Sequence, residues 1–102
     1  MITLSIEAID EDEAEQALMN VKTYSFNLKR DSTKHKRFGV LAQELREILP
    51  ELVYGNDDDE NEYLGVDYNG LIPLMINTIK KQNRRIKELE DKVDKLIELV
   101  NV

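Results

Sequence analysis

The last third of the chain repeats apolar residues at alternating gaps of three and four: Ile72, Met75, Ile79, Gln82, Ile86, Leu89, Val93, Leu96 and Val100. The series has no register error, and only Gln82 is polar. A 3.5-residue repeat keeps one stripe of a helix facing a partner along its whole length, so the pattern predicts a coiled coil. Ile72, Ile79, Ile86, Val93 and Val100 fall at heptad position a, and Met75, Gln82, Leu89 and Leu96 at d. A short chain has too little else to cover such a stripe, and an oligomer is expected.

The number of helices stays open between two and three on these residues. β-Branched residues at a with Leu at d favour a parallel dimer. Ile97 and Leu99, at e and g, widen the apolar face near the end, and Gln82 in a central layer can bond its own copies around an axis; both suit three helices. Arg85 at g and Glu90 at the following e are placed to pair between parallel helices.

Upstream the period changes several times. Ile2, Leu4 and Ile6 alternate with polar residues, as in an extended segment. Asp10 with Glu13 forms a capping box, and Ala14, Ala17, Leu18 and Val21 follow on one helical face. Tyr24, Phe26 and Leu28 then alternate as a strand. A basic loop over 29–37 leads to a second strand at Phe38, Val40 and Leu41, completing a hairpin. Leu41, Leu45, Ile48, Leu49 and Leu52 share a helical face that Pro50 ends. Val53-Tyr54 and Tyr63-Leu64-Val66 flank a turn-like run and predict a second hairpin. The long helix should begin near 69–71, because Pro73 is comfortable only in a first turn. This divides the chain into a small α+β unit with an extended arm, 1–68, and a coiled-coil helix, 69–102.

Composition narrows the function. The net charge is −7, and the excess acid lies in residues 1–60, with 14 acids against 7 bases, while 61–102 carry 7 of each. An acidic chain argues against nucleic-acid binding, which depends on cations meeting phosphate. With no cysteine there is no disulfide, thiolate metal site or cysteine nucleophile. No apolar run is long enough to span a membrane, and no signal peptide opens the chain. No cofactor is expected.

The middle of the chain resembles a known family. Phe38-Gly39-Val40-Leu41-Ala42-Gln43-Glu44-Leu45, Leu49-Pro50-Glu51-Leu52-Val53, Val66-Asp67-Tyr68 and Leu71-Ile72-Pro73-Leu74 are similar to the pattern GF-I-AQEV…PELV…V-DY…LIPLL. That pattern belongs to the intramolecular chaperone auto-processing domain at the C-termini of phage tailspikes, tail fibres and neck appendages; a related domain occurs in a membrane-anchored transcription factor. Gly39, Gln43, Glu44, Pro50, Asp67 and Tyr68 carry the match. The resemblance implies a mainly α, α+β chain: a small helix/hairpin unit followed by a long helix in a parallel trimeric coiled coil. It implies a homotrimer that helps the upstream fibre or spike of the same polypeptide to fold in the host cytoplasm during virion assembly. The domain is then released from the mature virion by self-cleavage.

Cleavage in that family uses a Ser-Lys dyad within S-D-x-R-x-K, just before the segment resembling Ser5 to Asp10. The motif is absent here, since Ser5 precedes Asp10 by five residues and the first lysine is Lys22. No residue present is assigned catalysis. The chain reads as a product trimmed further or a variant without the dyad, and Met1 favours an internal start, because an untrimmed product would begin with Ser.

The remaining features have plainer readings. Gln43 and Glu44 either bond the cleavage segment or a neighbouring subunit, or simply start a helix. His35 sits in a charged loop. Asp57-Asp58-Asp59-Glu60 lacks the ligand spacing and central glycine of a calcium loop and reads as a solvated hairpin tip. The basic band Lys80, Lys81, Arg84, Arg85 and Lys87 reads as solvated or as facing the acids of residues 11–15 in another subunit. Tyr24, Phe26, Tyr63 and Tyr68 are expected in the core or an interface. Rival readings are a trimerisation and auto-processing module of a membrane-anchored transcription factor and a plain coiled-coil adaptor.

Overall fold

The computed structural model describes residues 3–30, 32–55 and 64–101. The chain has a small part made of helices and hairpins, followed by one long helix. Residues 3–10 are exposed and form no regular element. Asp10 then caps α1 (Glu11–Met19), its carboxylate accepting from the backbone N–H groups of Asp12 (2.9 Å) and Glu13 (3.1 Å). Three acids in the first turn complement the positive end of the helix dipole. Val21, read from its spacing as part of this helix, lies beyond its end. There the side chain of Asn20 donates back to the carbonyl of Gln16.

Two antiparallel hairpins follow. β1 (Tyr24–Phe26) pairs with β2 (Arg37–Gly39), with Ser25 opposite Phe38. The second strand is thus shorter than its apolar pattern, because Leu41 already serves as the N-cap of α2 (Ala42–Ile48). Pro50 cannot extend α2 and instead opens a single 3-10 turn, Pro50–Leu52. β3 (Val53–Tyr54) then pairs with β4 (Gly65–Val66). The acidic run 57–60 and Tyr63 lie outside the described residues.

A second 3-10 turn, Tyr68–Gly70, leads into α3 (Leu71–Val100), 30 residues and on the order of 45 Å long. Pro73 sits in its first turn. Leu45, on α2, is 1 % exposed and Leu52 is also buried. Leu52 links the small part to the root of α3. Its carbonyl accepts from the Asp67 N–H at 2.8 Å, and its Cδ2 occupies the space a Cβ on Gly70 would need.

α1 packs against α3 through small residues and charge. Ala14 and Thr78 are the buried positions on the two helices, and the Thr78 hydroxyl donates to the Leu74 carbonyl at 2.9 Å, so it is satisfied where it is buried. Around them, Lys81 lies 2.6 Å from Asp12 and 2.9 Å from Glu15, Arg84 pairs with Glu11, and Arg85 stands 4.0 Å from Glu15. Lys81, Arg84 and Arg85 of the basic band thus meet acids of their own chain, because α1 brings its first turns alongside 81–85. The Asn77 amide adds a 3.2 Å bond to the carbonyl of Ile9, fixing the point where the arm leaves the helix.

Two predictions follow from these contacts. Gly70 has ordinary helical dihedrals (φ −65°, ψ −19°), so alanine is acceptable to the backbone and the outcome turns mainly on the displaced Leu52 side chain, with the Asp67 carboxylate 3.3 Å from the new Cβ. Gly70→Ala should lower stability by roughly 1–3 kcal/mol, read as a shifted urea midpoint, and Leu52→Val should recover part of that loss by freeing the space.

The second concerns pH. Lys81, by its hydrogen bond and then its charge, holds Asp12 below the ordinary 3.8. This stabilisation is complete above 3.8 and disappears as pH falls through the lowered folded-state value. Lys81 is raised above 10.5, first by its bond to Asp12 and then by Glu15. Its contribution is complete below 10.5 and is lost as pH rises through the raised value. Amide exchange of α1, measured against α3, should therefore accelerate below pH 3.8 and again well above pH 10.5. Lys81→Gln should flatten both limbs.

Candidate functional site

The helix that carries the heptad leaves it uncovered. Ile72, Met75, Ile79, Ile86, Leu89, Val93, Leu96 and Val100 are all exposed, from 42 % at Met75 to 81 % at Val100, and Gln82 is exposed with them. Ile97 and Leu99 extend the uncovered surface to positions e and g. The residues of α3 that bind the arm and α1 are Asn77 and Arg84 at f, Lys81 at c, and Arg85 at g, with buried Thr78 also at g. None is at a or d. At 100° per residue these positions form a sector on the g side of the helix, while the a/d stripe and its e side stay bare.

Where α1 meets the stripe, an apolar groove of about 370 Å³ opens. Met75, Ile79 and Gln82 of the stripe form its floor, and Leu18, Met19 and Val21 form a wall. Val40, just after β2, and Leu71 close one end. The stripe and the small part thus share one continuous surface at the root of α3. Among the described residues no helix is long and apolar enough to cross a membrane. Nor do any three His, Asp or Glu side chains among them converge as a metal site would require.

Two of the motif residues meet directly. The Tyr68 hydroxyl accepts from the backbone N–H of Val40 at 3.2 Å, and a Cβ at Gly39 would lie 2.7 Å from that oxygen and 3.3 Å from Phe26 Cε1. Only hydrogen at this position lets the tyrosine reach the hairpin. Glu44 accepts from the Tyr24 hydroxyl with both carboxylate oxygens, each at 2.9 Å, tying β1 to α2. That hydrogen bond, then desolvation and the carboxylate's charge, raises Tyr24 above its ordinary 10.0 and keeps the hydroxyl a donor. Glu44 therefore has a partner in its own chain. Gln43 is exposed beside it, Pro50 begins the 3-10 turn, and Asp67 joins that turn to the root of α3.

Among the described residues the aromatics do not form a core. Phe26, Phe38, Tyr54 and Tyr68 are exposed and Tyr24 is half-buried. The Tyr54 ring covers Gly65 across the second hairpin, filling the space that glycine leaves. Ser5 and His35 are exposed. Three features escape a reading by period. The Tyr24–Glu44 tie spans two elements, the groove wall comes from residues more than 50 positions upstream of its floor, and Ile76, at e, is apolar and 47 % exposed outside the a/d stripe. Only Ile76 left a trace in the sequence, as the third apolar residue of Leu74-Met75-Ile76 where the heptad needs one.

Comparison with known proteins bears on this surface. The family described as the chaperone of endosialidase matches residues 4–54, which are 51 of the 102. The matched stretch contains α1, the first hairpin, α2 and β3. The chain is also 38 % identical, over 56 residues, to the long tail fibre protein Gp37 of Enterobacteria phage K3 and to that of Enterobacteria phage T2. These alignments take in 54 % of this chain but only 4 % of either fibre protein. The family match thus falls on the small part that braces the uncovered helix, and the chain belongs to the chaperone of endosialidase family.

Proposed function

We propose that this chain is the folding clamp of a phage tail fibre. Three copies join through the stripes of α3 in a parallel coiled coil, and the upstream fibre of the same polypeptide folds while its three strands are held together. The observation that carries this reading is the stripe itself: 30 residues of helix whose a and d side chains are all exposed, on a chain that buries only Ala14, Leu45 and Leu52 of its apolar residues among those described. Family membership and the likeness to tail-fibre proteins support the client being a fibre. Gln82 in a central layer and the wide face at Ile97 and Leu99 favour three helices over two.

A clamp of this kind addresses a kinetic problem. Intertwined β-structure has high contact order and folds slowly, with exposed edges that invite misassembly. A helical bundle forms early and raises the effective concentration of the three strands for one another. Assembly takes place in the host cytoplasm, and self-cleavage upstream of Met1 then releases the clamp and leaves the fibre kinetically trapped.

Sedimentation equilibrium of the chain should give three times the monomer mass. Ile86→Asp, at a in mid-helix, removes roughly 1.5–3 kcal/mol of apolar burial per chain and puts three carboxylates into one layer, so monomer or unfolded chain is expected. A stable trimer of that variant would remove the stripe as the basis of assembly. A dimer of the unaltered chain would leave a clamp but not the proposed symmetry.

A further inference from the structure

We propose that the groove between α1 and α3 receives Ile76 of a neighbouring copy, so that each small part is completed by the next chain. This rests on the parallel assembly proposed above and adds a contact outside its a/d stripe. The helix residues lining the groove are Leu71 and Thr78 at g, Met75 and Gln82 at d, and Ile79 at a. It therefore opens on the g side of the stripe, where Leu18, Met19 and Val21 stand. Ile76 is at e, on the opposite side, with nearly half of its surface uncovered. In a parallel coiled coil, a g residue faces the e residue five positions later on the adjoining helix. That rule sets Leu71 of one chain beside Ile76 of its neighbour, at the mouth of the groove.

The occupant follows from the register. Copies in parallel register cannot seat their stripes without bringing an e side to each g side, and the residue delivered at this level is a branched aliphatic, matched to an apolar floor and wall. The groove is continuous with the stripe through Met75, Ile79 and Gln82, so the helix that covers one covers the mouth of the other. The contact is directional, since each chain offers Ile76 on one side and a groove on the other. Such contacts close into a ring about a rotation axis. Leu18 and Met19 then become interface residues, and the small part reaches its final packing only in the assembled state.

The absence of cysteine makes this directly testable. Chains carrying Ile76→Cys and chains carrying Leu18→Cys, distinguished by mass, are refolded together and oxidised. A disulfide-linked pair containing one of each is expected. Val93→Cys, at a, serves as the control for parallel contact along the stripe. If Val93→Cys chains cross-link and the oligomer forms, but the mixed pair does not appear, the groove is not filled by Ile76 and this inference fails alone. If Leu4→Cys replaces Ile76→Cys as the productive partner, the exposed arm is the occupant and the inference again fails. If neither oligomer nor control cross-link forms, the parallel assembly itself is wrong. As a second readout, Ile76→Ser should leave the mass of the oligomer unchanged while the last turn of α1 loses amide-exchange protection. Unchanged protection would also overturn it.

Discussion

The uncovered apolar stripe of α3 is the constraint on which the rest of the structure turns. Removing apolar surface from water is the main favourable term in folding, and this chain achieves little of it alone: three buried apolar side chains among the described residues, against a helix whose a and d positions all face solvent. A small domain is already poor in buried surface, and about a third of this one is committed to a helix that meets its own chain mainly near its root. The remainder of the structure is arranged so that this helix is held at one end and kept free along one face.

The manner of attachment follows from that need. Had α1 docked through large apolar side chains, it would have competed for the stripe. Instead it presents Ala14 to Thr78 on the g flank of the stripe, without covering a or d, and surrounds that contact with Asp12, Glu15 and Glu11 facing Lys81 and Arg84. Ion pairs at a partly solvated surface of this kind are weak but specific about geometry, which favours a defined orientation over strength. The ties within the small part work alike. Tyr24 on Glu44 and Tyr68 on Val40 each join elements distant in sequence through a single polar contact, and Gly39 and Gly70 permit the close approach that Tyr68 and Leu52 require.

Local pattern made much of this architecture legible. Pro73 limits where α3 can start, Asp10 with the acids after it marks the start of α1, and Pro50 marks the end of α2, since each of these signals acts within a few residues of its own position. The boundaries that moved, Val21 beyond α1 and Leu41 capping α2 rather than ending a strand, are places where helical and strand periods overlap over too few residues to separate. Which side of α3 the small part would take was not legible. The contacts that decide it, such as Lys81 with Glu15, join residues 66 apart, and spacing along a chain carries no signal at that range. The basic band is visible in the sequence, where it reads as solvated or as facing acids of another subunit; the pairing of Lys81, Arg84 and Arg85 with the acids of α1 in the same chain emerges only in the structure.

The side chosen by α1 has a consequence for symmetry. A helix with both flanks of its stripe bare would accept a neighbour in either direction and in several registers, because a/d contacts alone are nearly repetitive from one heptad to the next. Placing α1 on the g side makes the flanks unequal: one is walled and apolar at Leu18 and Met19, and the other is open at Ile76. An antiparallel neighbour, or one shifted by a heptad, would carry Ile76 away from the wall and leave the groove in contact with water. The small part can therefore contribute register to an association whose driving force lies elsewhere. In the proposed clamp, whose client is a fibre of aligned strands, the register set at the clamp would be the register passed to the fibre.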